Sequence, residues 1–371
     1  QPPLMRLVLI QLSADQYQFI WTHHHALLDG WSLPLLFQDL FALYQTASLA
    51  CLPTPVAYQH YVGWLQTQDK QTASDYWQAY LAGVTAPTSL MLDTPLLMPA
   101  SASGQTYNRV LSESFTQQLQ ALTQSAQVSL STVLQAAWSL LLSRFTGETD
   151  VIFGYTRSGR PASLPNAENI VGLFITSLPL RASVPQHPSA LLHEWLQALH
   201  KEQPSHDQYG YLPLVDIQRV SEIAADKPLF ESLLVFENYP IDDSLMEAAQ
   251  VNDGFAVEAV EMVDLDSYPL SLTITPASQL HLQFGYQPSY LNDTQIREIA
   301  GYLETILCGM AAGASQPIQH LQLLSASEQT TLIANTVSPI PEAYSFCIHE
   351  LFEQQVATTP DQVALVFEDQ S

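Results

Sequence analysis

The stretch from Trp21 to Ser32 reads Trp-Thr-His-His-His-Ala-Leu-Leu-Asp-Gly-Trp-Ser and lies between two segments of different periodicity. Residues Gln16 to Ile20 have the pattern of a strand, whereas Leu33 to Tyr44 carries apolar residues at helical spacing. We therefore expect the histidines to lie where a strand ends and a turn leads into a helix. Side chains at such a junction leave the packed interior and can meet a ligand.

The histidines and the Asp-Gly pair have distinct chemical uses. If the strand continues through them, His23 and His25 face one side and His24 faces the other. Asp29 can hold a cation or cap the following helix, and Gly30 permits a positive φ and lets a backbone N–H approach a ligand. A neutral imidazole is well suited to moving or orienting a proton near pH 7. The stretch therefore indicates a site for proton chemistry.

Two plainer interpretations compete with this one. A histidine on an apolar strand is commonly a core residue whose ring nitrogens are satisfied by its surroundings. A zinc site would need further ligands, and Cys51, Cys308 and Cys347 are scattered singly along the chain. We therefore predict no metal at this site.

Composition limits the classes of function. The chain has 371 residues, of which 47% are hydrophobic, so it can build two or more domains with a sizeable core. With 36 acidic and 11 basic residues and a net charge of −25, nucleic acid and anionic membranes are poor partners. No run approaches the ~20 apolar residues of a membrane span, and three cysteines give no disulfide framework. We expect a soluble cytoplasmic protein whose first residue, Gln1, lies inside a domain.

Periodicity elsewhere predicts the remaining elements, with Ser114 and Ser131 expected to open two of the helices. It predicts a hairpin over 7–12 and 16–22, helices over 33–44, 58–65, 73–81, 114–126, 131–145, 190–201 and 293–310, strands over 150–156, 230–240, 268–274 and 280–286, and a connection over 89–103.

The combination His24-His25-x-x-x-Asp29-Gly30, followed by Trp31-Ser32, resembles the HHxxxDG signature of the condensation domains of nonribosomal peptide synthetases. The motif also occurs in epimerisation and heterocyclisation relatives, and a shorter HxxxD occurs in other acyltransferases of the chloramphenicol acetyltransferase superfamily. Epimerisation domains usually continue DGVSW, and heterocyclisation domains usually replace the histidines with aspartates. Neither pattern is present here.

Other segments extend the resemblance. Residues 158–161 are similar to the family's S-G-R-P turn, and residues 171–181 are similar to its V-G-x-F-x-N-T-x-P-x-R segment. Thr176-Ser177 stands where the family usually has Asn-Thr, which leaves the polar contact there open. The segments 76–81, 230–240 and 268–274 also match family phrases.

The resemblance implies an α/β (α+β) fold of two chloramphenicol acetyltransferase-like lobes in a V, with the first lobe incomplete. It assigns residues 1–88 to the N-terminal lobe, 89–325 to the C-terminal lobe and 326–346 to a linker. The segment from Cys347 to Leu365 resembles the opening of an adenylation domain, so residues 347–371 are expected to begin one.

The same resemblance implies an activity: amide-bond formation between a carrier-bound donor acyl or peptidyl thioester and the amine of a carrier-bound aminoacyl thioester. Both substrates arrive on phosphopantetheine arms, and no cofactor is expected to bind directly. The expected partners are the upstream and downstream peptidyl carrier domains and the adjoining adenylation domain. Two alternatives remain: a catalytically silent recruitment platform, and a free-standing acyltransferase that uses coenzyme A.

Within that scheme the catalytic candidates are His25, which accepts the amine's proton or positions the amine, and the Gly30 N–H, which stabilises the oxyanion. His24 and Asp29 are expected to shape the loop, and Trp31 to pack beneath it.

Arg160 is expected to form a structural ion pair with Asp29, in preference to Arg157, because a guanidinium can grip a carboxylate through two parallel hydrogen bonds. The competing interpretation of Arg160 is a solvated residue of the turn.

Overall fold

A computed structural model of the protein describes residues 4–89, 104–237, 268–336 and 347–363. The chain divides into two compact units, Gln1–Leu323 and Leu324–Ser371. The predicted connection over 89–103 falls almost entirely outside the described residues, as do 238–240 of the predicted strand over 230–240.

The first unit opens with the predicted hairpin. Strand β1 (Met5–Gln11) pairs in antiparallel register with β2 (Tyr17–His23), with Met5 opposite His23 and Gln11 opposite Tyr17. The Leu12 N–H donates to the Gln16 carbonyl at 2.8 Å and closes the turn. These two strands form a sheet of their own. The hairpin ends at the histidines, so it delivers the motif loop at its open end.

Three helices follow the motif loop: α1 (Ser32–Thr46), α2 (Gln59–Gln66) and α3 (Lys70–Tyr80). Asp69 caps α3 by accepting hydrogen bonds from the N–H groups of Gln71 and Thr72 at 3.0 and 3.1 Å. Trp77 of α3 is completely buried in the main core. This helix therefore anchors the N-terminal segment to the rest of the unit.

A six-stranded mixed sheet carries the second half of the unit, in the order β3-β8-β7-β6-β4-β5. Its strands are β3 (Gln105–Val110), β4 (Asp150–Arg157), β5 (Thr176–Ser183), β6 (Ser232–Phe236), β7 (Leu270–Thr275) and β8 (His281–Tyr286). The pairs β4–β6 and β6–β7 are parallel, and the other pairs are antiparallel. Parallel neighbours end at the same edge of the sheet, which matters for the site below.

Helices cover one face of this sheet. They are α4 (Glu113–Ala126), α5 (Leu130–Thr146), α6 (Leu192–Tyr209), α7 (Leu214–Val220) and α8 (Asp293–Ala311). Alternation along β7 turns Leu270, Leu272 and Ile274 into the core, where all three are fully buried. Ser271 and Thr273 therefore lie on the opposite face, and that face is polar.

The sequence analysis missed two elements and misplaced two caps. Strand β3 and the short helix α7 were not predicted, because each is brief and lacks a clear period. Helices α4 and α5 begin one residue earlier than expected, since Ser112 and Ser129 accept the N–H groups of Phe115 and Thr132. Ser114 and Ser131, which were expected to open these helices, lie inside their first turns.

The second unit contains α9 (Ala326–Thr336) and α10 (Ile348–Thr358) among its described residues. Helix α9 occupies part of the range predicted as a linker. Helix α10 begins with a reciprocal cap, in which the Cys347 N–H donates to the Glu350 carboxylate at 2.6 Å.

Candidate active site

The strand of the hairpin ends at His23, so His24 and His25 lie in the turn that follows. His24 Nδ1 accepts the Ala26 N–H at 3.0 Å, and the Leu27 N–H donates to the His24 carbonyl at 3.0 Å. The alternation that we expected through all three histidines therefore stops at the first of them. The turn, and not the strand pleat, sets the direction of His25.

Asp29 is buried and forms the centre of a dense hydrogen-bond network. Its Oδ1 accepts the backbone N–H and the hydroxyl of Ser32 at 3.0 and 2.9 Å. Its Oδ2 accepts Arg160 Nη1 at 2.7 Å and the Phe174 N–H at 3.0 Å. Both uses of an aspartate that the sequence left open occur together, since the carboxylate holds a cation and binds the first N–H of helix α1.

Arg160 completes this network from the turn after β4. Its Nη2 donates to Asp29 Oδ1 and to the Ile170 carbonyl, each at 3.2 Å. The guanidinium carbon lies 4.3 Å from the ring centroid of Phe174, a cation–π contact. With side-chain exposures of 9% for Arg160 and 0% for Asp29, this is a buried ion pair and not a solvated turn arginine.

Arg157, the other candidate for this pairing, lies elsewhere. Its Nη2 pairs with Asp207 at 3.1 Å, and its Nη1 donates to the carbonyls of His206 and Asp207 at 3.2 and 2.8 Å. These carbonyls belong to the last turn of α6, where a cation is favoured by the helix dipole. Arg157 therefore joins β4 to the end of α6.

Ser32 is a site residue that the sequence analysis did not single out. Its hydroxyl is completely buried, accepts the Gly172 N–H at 3.0 Å and lies 3.0 Å from the Gly172 carbonyl. The Asp29 N–H also donates to that carbonyl, at 3.3 Å. The only signal in the sequence was the serine that ends the Asp-Gly-Trp-Ser phrase. The motif loop is thus bound to residues 170–174 through backbone and side-chain contacts.

Tyr58 braces the same segment from the other side. Its hydroxyl donates to the Leu173 carbonyl at 2.5 Å, and its ring packs where a side chain on Gly172 would overlap it. Burial raises the pKa of Tyr58, with the nearby Asp29 charge adding to the effect. Burial likewise raises the pKa of Tyr61, whose ring centroid lies 4.3 Å from that of Phe174, to about 12. Both phenols are therefore neutral near pH 7.

A cavity of about 370 Å³ opens beside the motif loop. His25, Gly30 and Trp31 line it from the loop. The polar face of the six-stranded sheet lines it from the other side, and this wall includes Thr106, Thr156, Ser177, Leu233, Val235, Glu237, Ser271, Thr273, Gln283 and Gly285. Hydroxyls and amides dominate the wall because alternate residues of β7 and β8 are polar.

The remaining predicted positions fall on either side of this cavity. His24 is not among the lining residues, and its ring instead holds the turn. Trp31, which we expected to pack beneath the loop, is partly buried and contributes to the cavity wall. At the position of the family's usual Asn-Thr pair, Ser177 lines the cavity, whereas the Thr176 hydroxyl is buried and has no hydrogen-bond partner among the described residues.

Metal and membrane features are quickly stated for the described part of the chain. It groups no three histidine, cysteine, aspartate or glutamate side chains in a way that could hold a metal ion. Within the same residues, none of the helices has the length and apolar character to cross a membrane.

The geometry of this site can be set beside known proteins. A family model described as "Condensation domain" matches residues 1–333. This chain belongs to the condensation domain family. The condensation domain resembles part of the linear gramicidin synthase of Brevibacillus parabrevis, with 38% identity over 375 residues, and the tyrocidine synthase 2 of the same organism, with 35% identity over 372 residues.

These relatives are far longer than the chain. The alignments cover 100% and 99% of this chain but only 5% and 10% of the respective synthetase chains. Among solved structures, the starter condensation domain of rhizomide synthetase has a TM-score of 0.70 and 19% identity, covering 87% of this chain and 73% of that one. A four-domain nonribosomal peptide synthetase has a TM-score of 0.71 and 18% identity, covering 89% and 26%.

The predicted α/β fold of the condensation family is confirmed by these likenesses. The family match ends at residue 333, so the interpretation of residues 347–371 as the start of an adenylation domain stays a prediction.

Proposed function

We propose that this condensation domain joins two carrier-bound substrates by an amide bond. A donor acyl or peptidyl thioester and an aminoacyl thioester enter the cavity on phosphopantetheine arms, and the amine attacks the thioester carbonyl. The observation that carries the proposal is that His25 and Gly30 line one cavity from a loop held by a buried ion pair.

The first contribution of the site is proximity. Two thioesters held in a cavity of about 370 Å³ meet as though in one molecule, which removes much of the entropy cost of a bimolecular step. The clamp between Asp29 and Arg160 supports this, because a loop tied by several hydrogen bonds keeps the reacting groups in register.

The second contribution is the handling of protons and charge. His25 accepts a proton from the attacking amine or orients the amine by a hydrogen bond, and its exposure towards the cavity suits either role. The backbone N–H of Gly30 is assigned to the oxyanion that forms on the thioester carbonyl, since a rigid donor away from bulk water stabilises that charge strongly. His24, Asp29, Arg160 and Trp31 are assigned to the support of the loop.

The proposal includes the partners of the reaction. Peptidyl carrier domains upstream and downstream present the two arms, and an adjoining adenylation domain supplies the acceptor. We place the reaction in the cytoplasm, where the free cysteines Cys51, Cys308 and Cys347 would stay reduced. The domain itself is assigned no bound cofactor.

The test uses the intact synthetase module with donor and acceptor carriers loaded from a panel of proteinogenic amino acids. Mass spectrometry should detect an acceptor-bound dipeptide that depends on both loaded carriers. Carrier binding without product would show a silent recruitment platform instead. Product from coenzyme A thioesters without carriers would show a free-standing acyltransferase.

A further inference from the structure

The wall of the cavity opposite the motif loop contains a carboxylate. Glu237 follows directly after β6, and among the described lining residues it is the acidic one. Its N–H donates to the Ile274 carbonyl at 2.8 Å, and its Oε2 accepts the Thr275 hydroxyl at a long 3.4 Å. The backbone of Glu237 is therefore held by β7, and its carboxylate lies on the side of the cavity.

Strand register places Glu237 beside the motif's ion-pair partner. Parallel pairing sets Gly154 opposite Leu233 and Tyr155 opposite Leu234, so continuing it sets Ser158 opposite Glu237. Adjacent strands lie about 4.8 Å apart, and residues in register share a face. Ser158 lies two residues before Arg160, which grips the motif loop that carries His25.

The positive charge nearest to this edge is already engaged. Arg157 also lines the cavity, but its guanidinium binds Asp207 and the two last-turn carbonyls of α6. The remaining polar groups of the wall, such as Ser271 and Thr273, are neutral. A carboxylate in such surroundings favours a cationic or strongly hydrogen-bond-donating ligand group.

We propose that Glu237 binds the amino group of the acceptor and stabilises the positive charge that grows on its nitrogen. This inference rests on the proposed function. As the amine's lone pair forms the C–N bond, the carbonyl π electrons move to oxygen and the nitrogen becomes positive. The carbonyl then re-forms, the C–S bond breaks, and the proton lost by nitrogen ends on the departing sulfur. The carboxylate contributes its field and is not consumed.

The test compares the intact module with its Glu237→Gln variant, which keeps the shape of the side chain and removes its charge. Glu231→Gln is the matched control, because Glu231 lies just before β6 and outside the cavity lining. The binding probe is an aminoacyl pantetheine amide, paired with an analogue in which a hydroxyl replaces the amine. Calorimetry measures both, so this readout does not depend on turnover.

The parent and the Glu231→Gln control should prefer the amine probe by roughly tenfold or more, as a charge-assisted hydrogen bond would give. Glu237→Gln should lose most of that preference, and its kcat/KM for the acceptor should fall at least ~10-fold while the donor KM and the Tm stay unchanged. Equal discrimination by the parent and Glu237→Gln would overturn the inference. A parent that makes no amide but still prefers the amine probe would overturn the proposed function alone.

Discussion

The side chains of Asp29 and Arg160 are 131 positions apart in the chain and form two hydrogen bonds, at 2.7 and 3.2 Å. The aspartate belongs to the motif loop, and the arginine belongs to the turn after β4. Both are buried, so the attraction between them is little screened by water. This ion pair joins the hairpin segment to the six-stranded sheet at the edge of the cavity.

Removing either partner of this ion pair should destabilise the protein. Asp29→Ala and Arg160→Ala should each lower the free energy of unfolding by about 3–5 kcal/mol, because the remaining charge is buried without its partner. The double variant should lose less than the sum of the two single losses. Urea unfolding of all four proteins measures this.

Arg219→Ala is the matched control for that series. Arg219 pairs with Asp216 at 2.6 Å, but its side chain is 71% exposed. Surface ion pairs contribute little, so the change should stay within about 0.5 kcal/mol. Additive losses for Asp29 and Arg160 would show that the two residues do not act as a pair.

Replacing His25 should affect turnover more than stability. His25→Ala should lower amide formation at least ~10²-fold, as the loss of a general base or positioning group does. The melting temperature should change little because the side chain is exposed. His60→Ala, at another exposed histidine, should retain the activity of the parent. Full activity after His25→Ala would remove this residue from the mechanism.

The turn that carries Arg160 depends on a glycine. Gly159 has φ = 63°, and a Cβ added there would overlap the Phe174 carbonyl. Gly159→Ala should therefore destabilise the protein by more than about 1 kcal/mol and reduce activity by displacing Arg160. Gly301→Ala, in helix α8 with open space around it, should be neutral or stabilising by up to about 1 kcal/mol. Thermal unfolding distinguishes the two, and equal effects would contradict the strain argument.

His206 should make the protein sensitive to acid. It is 1% exposed among the rings of Tyr76, Trp77, Tyr80 and Tyr155, and neither ring nitrogen has a partner among the described residues. Burial lowers the pKa of His206 from 6.5 to about 4, and the Arg157 charge acts in the same direction.

The sign of the effect follows from proton uptake. Between pH 6.5 and about 4 the unfolded chain binds a proton that the folded protein does not, so unfolding becomes easier as the pH falls. The loss amounts to about 3 kcal/mol at the acid end of this window. Glu202, whose pKa is raised by its own burial, acts in the opposite direction. A parallel comparison with a variant therefore isolates the imidazole.

His206→Phe keeps an aromatic ring in place and removes the titration. Its unfolding free energy, measured from pH 7 to pH 4, should decline less than that of the parent. His60→Gln should follow the parent at every pH, because that histidine is exposed in both states. Parallel curves for the parent and His206→Phe would contradict the assignment.

Much of the fold was predictable because the relevant patterns are local. The spacing of apolar residues predicted α1, α5 and α8, and the strict alternation of residues 280–286 predicted a half-exposed strand β8. Strand β3 was missed because its six residues carry no alternation, and it becomes a strand only by pairing with β8.

The site was predictable only in part. The motif pointed to His25, Gly30 and Asp29, but it did not single out Ser32, whose hydroxyl acts through Gly172, 140 positions away. Glu237 was equally hidden, since a carboxylate at the end of a strand is ordinary until the register places it beside a cavity.

By itself the sequence determined the helices, most of the strands and the identity of the motif, because periodicity and turn residues act over a few neighbouring positions. Only the tertiary structure decided that Arg160 and not Arg157 holds Asp29, and that His25 lines the cavity while His24 braces the turn. These outcomes depend on contacts between distant segments and on the point where the strand stops. A linear pattern does not encode that geometry, because it arises when the hairpin, the sheet edge and residues 170–174 pack together.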